Sequence, residues 1–267
     1  MVAALLAAPA CGGDGDGSGD DAGGAGEPAP PTTAGPPPLD VLVTNDDGVG
    51  AEGIDTVVEA LRARPGIEVT VIAPATQQSG TGGSETEGEL TALEATTISG
   101  YEATAVEGFP SDTVRVALED EGLEPDLVVS GINEGQNLGP VVDVSGTVGA
   151  ARAAVRAGVP ALAVSQGLGD PLDYPVAAEL VLDWVDENRT ELAAGTFPAD
   201  AVVNLNVPTC PAGEVRGTVE VTSATAGDAL GEPDCTATSP AQPADDVGAF
   251  LVGYATFTEV PPEPAAP

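Results

Sequence analysis

Between Leu39 and about Pro208, short apolar runs alternate with longer segments whose apolar residues recur at helical spacing. The apolar runs have the length of buried β-strands and cover residues 40–45, 68–73, 126–130, 161–165 and 201–207. The intervening amphipathic segments predict helices over residues 53–63, 111–119, 147–157 and 175–187. This alternation predicts an α/β fold, with a mostly parallel sheet covered by helices on both faces.

The first apolar run ends in two adjacent carboxylates, Asp46 and Asp47, followed by Gly48. Ligands of open α/β sheets bind just beyond the carboxyl ends of the strands. A structural role alone explains this pair poorly, because neighbouring like charges repel each other. Carboxylate oxygens suit a hard cation such as Mg²⁺, so the pair indicates a metal site. A solvated acidic turn is the alternative interpretation.

Residues 48–53 also spell G-x-G-x-x-G, the pattern of dinucleotide-binding proteins. Asp46 and Asp47 would stand where the pyrophosphate has to approach. The second predicted strand runs into Pro74, with no acidic residue at its end to bind a ribose hydroxyl. We therefore disfavour a dinucleotide-dependent oxidoreductase.

Composition excludes further classes of function. The chain carries 43 acidic residues against 7 basic ones, all arginine, and its net charge is −36. Binding of a nucleic-acid polymer needs a basic surface, so we do not expect it. The absence of histidine excludes Ser-His-Asp and Cys-His catalysis and the usual zinc sites. Catalysis would have to use carboxylates, hydroxyls, amides, backbone N–H groups and a hard metal ion.

Residues 1–38 indicate targeting rather than a folded domain. The first ten residues are small and apolar, and the sequence A-P-A before Cys11 resembles the end of a bacterial lipoprotein signal. The apolar run is short, however, and lacks a charged n-region. Residues 12–38 are rich in Gly, Asp, Ala and Pro, which predicts a disordered tether. We expect an exported protein, an envelope lipoprotein with its lipid on Cys11 or an extracellular protein; a disordered cytosolic tail is the alternative.

Residues 209–267 predict an irregular C-terminal β arm belonging to the same domain as the core. Short β patterns occur at residues 217–221 and 250–257, and an extended hairpin would accommodate both. In an exported protein the pair Cys210 and Cys235 most simply forms a disulfide near the base of the arm. Two free buried thiols are the alternative.

A third predicted helix begins at Ser145-Gly146-Thr147. Serine is a natural N-cap, and the free N–H groups and the dipole of a helix start can bind phosphate. An ordinary capped helix without a ligand is the alternative interpretation.

Four loops at the predicted carboxyl ends of strands carry distinctive sequences. They read N-D-D-G (45–48), A-P-A-T-Q-Q-S-G (73–80), S-G-I-N-E-G-Q-N-L-G (130–139) and S-G-T-V-G-A-A (145–151). With G-F-P-S-D-T-V (108–114) and N-L-N-V-P (204–208), they resemble the SurE (survival protein E) family of metal-dependent 5′/3′-nucleotidases and acid phosphatases. The resemblance covers residues 39–208 and implies a Rossmann-like α/β core that hydrolyses nucleoside 5′/3′-monophosphates or similar small phosphate monoesters.

The resemblance also implies roles for individual residues. A divalent ion, Mg²⁺ or Mn²⁺, would be held by Asp46, Asp47, the hydroxyl of Ser79 and the amide of Asn133. Asp46 would be catalytic, either organising the attacking water or acting directly on phosphorus.

The remaining implications concern the substrate and the assembly. Phosphate would bind at Asn45 and at the helix start formed by Ser145, Gly146 and Thr147. The expected partner is a small phosphomonoester, and the chain is expected to form a homo-oligomer, a dimer or a tetramer. A non-catalytic exported lipoprotein that binds phosphate or nucleotide is the competing interpretation.

Overall fold

A computed structural model describes residues 35–238 and 243–264. Cys11 and most of the expected signal and tether lie outside the described residues. The described part contains one nine-stranded sheet. Its strands are β1 Leu39–Thr44, β2 Ile67–Pro74, β3 Ala92–Thr96, β4 Glu102–Val106, β5 Leu127–Glu134, β6 Ala161–Gln166, β7 Val202–Val207, β8 Thr218–Glu220 and β9 Ala255–Val260.

The sheet has the order β3-β4-β2-β1-β5-β6-β7-β9-β8. The six strands from β4 to β7 in this order run parallel to one another. The β8–β9 pair is also parallel, and the β3–β4 and β7–β9 pairs are antiparallel. The predicted mostly parallel α/β sheet is confirmed. Its central strands are buried on both faces, which explains their continuous runs of Val, Leu and Ile.

The α-helices of the described part cover the two faces of the sheet. They are α1 Glu52–Arg62, α2 Pro110–Arg115, α3 Gly146–Arg156, α4 Tyr174–Ala193 and α5 Asp246–Leu251. Helices α1 and α4 pack together on one face with one apolar cluster, and α2 and α3 pack on the other with a second cluster. Both faces are therefore covered, as predicted.

Two predicted helices have different ends in the structure. The segment 111–119 is divided into α2 and a π-helical turn, Val116–Asp120. Helix α4 runs beyond the predicted end at residue 187 to Ala193. Buried Arg189 explains this extension, because its guanidinium donates to the carbonyls of Pro37, Pro65 and Gly66. Periodicity within the helix cannot reveal such distant partners.

The C-terminal segment continues the main sheet, so the expected extended hairpin is wrong. Strand β9 pairs antiparallel with β7, and β8 pairs parallel with β9. The β pattern at residues 250–257 is also partly wrong, because α5 extends to Leu251 and β9 begins only at Ala255. Asp245 explains the helix, since its carboxylate caps α5 by accepting a hydrogen bond from the N–H of Gly248.

The expected disulfide is present between Cys210 and Cys235, whose Cα atoms lie 5.7 Å apart. It joins the loop after β7 to the segment before α5. Trp184 packs edge-on against Phe197 at 5.3 Å, and both lie against the apolar cluster shared by α1 and α4. In the residues that the structure describes, no helix has the length and apolar character needed to span a membrane.

Candidate active site

The candidate site is a set of loops at the carboxyl ends of β1 and β5, two neighbouring parallel strands. The loop after β1 is held in a tight turn by Asn45. Its side-chain amide donates to the carbonyl of Gly48 at 2.9 Å, and its Oδ1 accepts from the N–H of Gly48 at 3.2 Å. Gly48 has a φ of +99°, a conformation that side-chain-bearing residues rarely adopt. The turn fixes the backbone on either side of Asp46 and Asp47.

The carboxylate of Asp46 lies against the start of α3 and is only 3% exposed. The hydroxyl of Thr147 donates to its Oδ1 at 2.5 Å. A Cβ on Gly146 would lie 2.8 Å from its Oδ2, so only glycine permits this approach of helix and carboxylate. The structure thus brings Asp46, Gly146 and Thr147 together.

Asp47 lies beside the end of β5. Its Oδ2 accepts a hydrogen bond from the backbone N–H of Glu134 at 3.0 Å. Asn133 directly precedes Glu134 and is 7% exposed. The amide nitrogen of Asn133 donates to the carbonyl of Gly135, whereas its buried Oδ1 has no hydrogen-bond partner among the described residues.

Burial raises the pKa of both aspartates. It raises the pKa of Asp46 although hydrogen bonds from Thr147 and nearby backbone N–H groups act in the opposite direction. It raises the pKa of Asp47 to about 6, and the charges of Asp46 and Glu134 add to this effect while the N–H of Glu134 opposes it. A buried and a half-buried carboxylate side by side are costly as anions without a cation.

The donor set fits a hard divalent cation. Asp46, Asp47 and the unpartnered Oδ1 of Asn133 offer only oxygen atoms, the ligands that Mg²⁺ and Mn²⁺ prefer. Among the described residues there is no group of three or more His, Cys, Asp or Glu side chains that could hold a metal. A metal here would therefore depend on two carboxylates supplemented by amide and hydroxyl oxygens.

Ser79 is connected to this group through its loop rather than through its side chain. The N–H of Gln78 donates to the carbonyl of Asp46 at 2.6 Å, which holds the loop against the β1 turn. The hydroxyl of Ser79 is exposed and accepts from the side-chain amide of Gln77 at 2.6 Å. Its role as a metal ligand stays a prediction and requires this hydroxyl to turn towards Asp46.

The predicted phosphate-binding residues divide into two groups. Ser145 caps α3, because its Oγ accepts from the N–H of Val148 at 3.1 Å. With Gly146 and Thr147 it forms a helix start directed at Asp46. The side chain of Asn45, by contrast, is occupied in holding Gly48. Phosphate binding by these residues stays a prediction.

Sequence comparison identifies the family. The model of the family described as "Survival protein SurE" matches residues 41–229, which contain every loop of the site. The chain belongs to the SurE family. It is 39% identical over 188 residues to the 5′-nucleotidase SurE of Brevibacillus brevis, covering 68% of this chain and 71% of that protein. It is 41% identical over 189 residues to the 5′-nucleotidase SurE 1 of Burkholderia lata, covering 70% of each.

Structural comparison gives the same result. The crystal structure of the SurE protein from Aquifex aeolicus superimposes with a TM-score of 0.68 and 28% sequence identity. The match covers 85% of this chain and 94% of that one. The sheet that positions the candidate site is therefore a SurE fold.

One supporting element of this SurE site was not predicted. The side chain of Asn206 brackets the backbone of Asn137, accepting from its N–H at 2.7 Å and donating to its carbonyl at 3.1 Å. Asn204 donates to the same carbonyl, and the Asn137 amide donates to the hydroxyl of Ser165. This buried network holds the loop that follows Asn133. The signal was present, because residues two apart share one face of a strand and N-x-N is unusual in a buried strand.

Proposed function

We propose that this chain is a metal-dependent phosphomonoesterase that hydrolyses nucleoside 5′- or 3′-monophosphates or similar small phosphate esters. Relatives that are 39% and 41% identical over 188 and 189 aligned residues are named 5′-nucleotidase, which makes this chain a SurE-type nucleotidase, a hydrolase of phosphoric monoesters. The observation that carries the proposal is the pair of adjacent aspartates after β1: buried Asp46 contacts the start of α3, and half-buried Asp47 accepts a hydrogen bond at the end of β5. A site for a phosphate ester needs positive charge, and here it has to come from a cation and from backbone N–H groups.

The residues that would hold the cation are Asp46, Asp47, Asn133 and, after reorientation, Ser79. The ion would supply the positive charge and Lewis acidity that the side chains of the site lack. Asp46 and Asp47 would offset that charge once ionised. The unpartnered Oδ1 of Asn133 supports this assignment, because a buried amide oxygen without a partner is costly.

The chain's own groups would position the ester and handle the proton. The first N–H groups of α3 would bind phosphoryl oxygens next to Asp46. Thr147 fixes the Asp46 carboxylate by donating to its Oδ1, so the other carboxylate oxygen has a defined direction. That oxygen would either orient a water molecule and accept its proton, or attack phosphorus itself. Both routes need an ionised Asp46.

Hydrolysis of a set of nucleoside monophosphates tests the proposal. We expect phosphate release with Mg²⁺ or Mn²⁺ and none with EDTA. Asp47→Asn removes one charge from the cation site while keeping its shape, and should lower kcat/KM by at least about 100-fold. Asp40→Asn is the matched control, because Asp40 is exposed on β1 and away from the turn.

Calorimetric titration with Mn²⁺ adds a readout that is independent of turnover, and Asp47→Asn should weaken binding. Full activity in EDTA or in the Asp47→Asn protein would contradict the metal site. Binding of nucleotide without any hydrolysis would favour a non-catalytic binding protein.

We also propose export and self-association. The signal-like sequence before Cys11 supports an exported lipoprotein, and the Cys210–Cys235 disulfide suits an oxidising compartment. Mass spectrometry of native material would detect a lipid on Cys11. Light scattering of the purified chain would distinguish a dimer or tetramer from a monomer.

A further inference from the structure

The site contains no free cationic side chain, although its proposed substrate is an anion. The chain has no lysine or histidine, so its seven arginines are the only basic side chains. Those with a carboxylate partner are Arg62, Arg64, Arg115, Arg152, Arg156 and Arg189. Arg216 donates to the carbonyl of Val252 and lies 4.6 Å from the centre of the Tyr254 ring. None of these partners belongs to the loops that carry Asp46, Asp47 and Asn133.

The rim of the site carries additional negative charge. Glu134 is exposed at the end of β5, directly after Asn133, and its N–H is bonded to Asp47. Glu52 is exposed at the start of α1. Burial raises the pKa of the neighbouring Tyr174, and the charges of Glu134, Asp47 and Glu52 raise it further. The charges of these two glutamates therefore act at the same edge as Asp47.

An exposed apolar side chain, Leu168, lies beside Gly135, the residue that follows Glu134. Leu168 is 47% exposed, and a Cβ on Gly135 would lie 3.3 Å from its Cδ2. The N–H of Leu168 is held by the side chain of Gln136, so its position is fixed. The alcohol of a bound ester would meet Leu168 and the carboxylate of Glu134.

We propose that Glu134 is a specificity-determining residue: the site accepts phosphate monoesters of uncharged alcohols and discriminates against esters whose alcohol carries a further carboxylate or phosphate. This inference rests on the proposed phosphomonoesterase function. A divalent cation is already balanced by Asp46 and Asp47, so no positive charge is left for a second anionic group. Glu134 then repels that group directly.

Two esters that differ in a single charge test the inference. Benzyl phosphate and its 3-carboxy derivative are suitable, because the methylene group insulates the ester oxygen from the carboxylate. We expect kcat/KM for the 3-carboxy derivative to be about tenfold lower than for benzyl phosphate, mainly because its KM is higher. The ratio of the two kcat/KM values has this size because repulsion between like charges is weak at an exposed, largely aqueous rim. Raising the salt concentration should reduce this ratio, because exposed charges are screened.

Substitutions assign the effect to one side chain. Glu134→Gln should reduce the ratio to about threefold, and Glu134→Arg should reverse the preference. Both keep the backbone N–H that holds Asp47. Glu94→Gln is the matched control, because Glu94 is also exposed but lies on β3 at the far edge of the sheet. It should leave the ratio unchanged.

Calorimetry with the two corresponding phosphonates, which cannot be hydrolysed, provides a second readout. Benzylphosphonate should bind more tightly than its 3-carboxy derivative, and Glu134→Gln should narrow the difference. Equal kcat/KM for the two esters, or a ratio insensitive to both salt and Glu134, would overturn the inference while leaving the phosphomonoesterase intact. Hydrolysis of neither ester nor of any nucleotide would instead contradict the proposed function.

Discussion

The carboxylate of Asp46 is shielded from water and receives the hydroxyl hydrogen bond of Thr147. Sequence motifs place Thr147 with the phosphate-binding residues, but the structure shows that its hydroxyl is directed at Asp46. Burial raises the pKa of Asp46, and the Thr147 hydrogen bond opposes that rise because it stabilises the anion. Thr147 is therefore a positioning residue for the ionised form of Asp46.

Thr147→Val keeps the side-chain shape but removes the donor. The pKa of Asp46 should rise further, so the acid limb of the kcat/KM pH profile should move to higher pH. Thr147→Ser keeps the hydroxyl and should restore the wild-type profile. A valine variant whose KM rises at every pH without a shift of the acid limb would favour a phosphate contact instead.

Protonation of Asp47 makes the stability of the metal-free protein depend on pH. Its pKa is raised to about 6 in the fold, above the ordinary value of 3.8. Between these values the folded state binds more protons than the unfolded state, so the free energy of unfolding contributed by Asp47 falls as pH rises. The ionised carboxylate is a destabilising group above pH 6 unless a cation is bound.

This pH dependence predicts a difference in stability between the wild-type protein and the Asp47→Asn variant. In EDTA, the variant should be the more stable protein at pH 7.5, and the advantage should shrink as pH falls from about 6.5 to 4. Urea unfolding at several pH values measures both free energies. Mn²⁺ should stabilise only the wild type strongly, and its effect should weaken below about pH 6, where protons compete for Asp47. An advantage of the variant that is independent of pH would contradict the assigned pKa shift.

At the scale of elements, the loop that follows Asn133 at the end of β5 is held by β7, which lies two positions away in the sheet. Asn206 on β7 satisfies both backbone groups of Asn137, and Asn204 reinforces the contact. These side chains are fully buried. Asn206→Ala would leave a buried N–H without its partner, which should lower the free energy of unfolding by about 1–3 kcal/mol.

The same substitution should weaken Mn²⁺ binding, because the loop carrying Asn133 loses its support. Calorimetry and urea unfolding separate the two effects. Asn188→Ala removes one side-chain hydrogen bond to the backbone within α4 and serves as the control. A destabilised Asn206→Ala protein with unchanged Mn²⁺ affinity would show that Asn133 is positioned independently of this network.

These elements also show how far the sequence could predict the structure. Strand β1, its two aspartates and the start of α3 follow from local patterns, since apolar runs, turn residues and caps act within a few residues. The addition of β9 to β7 depends on contacts across about 50 residues, which no local pattern records. The donor of the hydrogen bond to Asp47 is the backbone N–H of Glu134, so the identity of residue 134 could not have indicated it.

At the scale of the whole molecule, the dominant property is a net charge of −36. The compact state brings these charges together, so mutual repulsion favours the unfolded chain. Added salt screens the repulsion: the Debye length falls from about 30 Å at 0.01 M to about 3 Å at 1 M. The melting temperature should therefore rise between these concentrations by about 5 °C or more, since each 1 kcal/mol shifts Tm by about 2–4 °C at this size.

Protonation of the carboxylates provides the internal control for the effect of charge. Near pH 4 about half of the 43 acidic residues would be protonated, which leaves a net charge of roughly −14. Because repulsion grows with the square of the charge, the salt effect should then fall to a small fraction of its value at pH 7.5. NaCl and KCl should act alike, since screening depends on ionic strength alone. A salt effect of equal size at both pH values, or one that differs between Na⁺ and K⁺, would identify specific ion binding rather than screening as its cause.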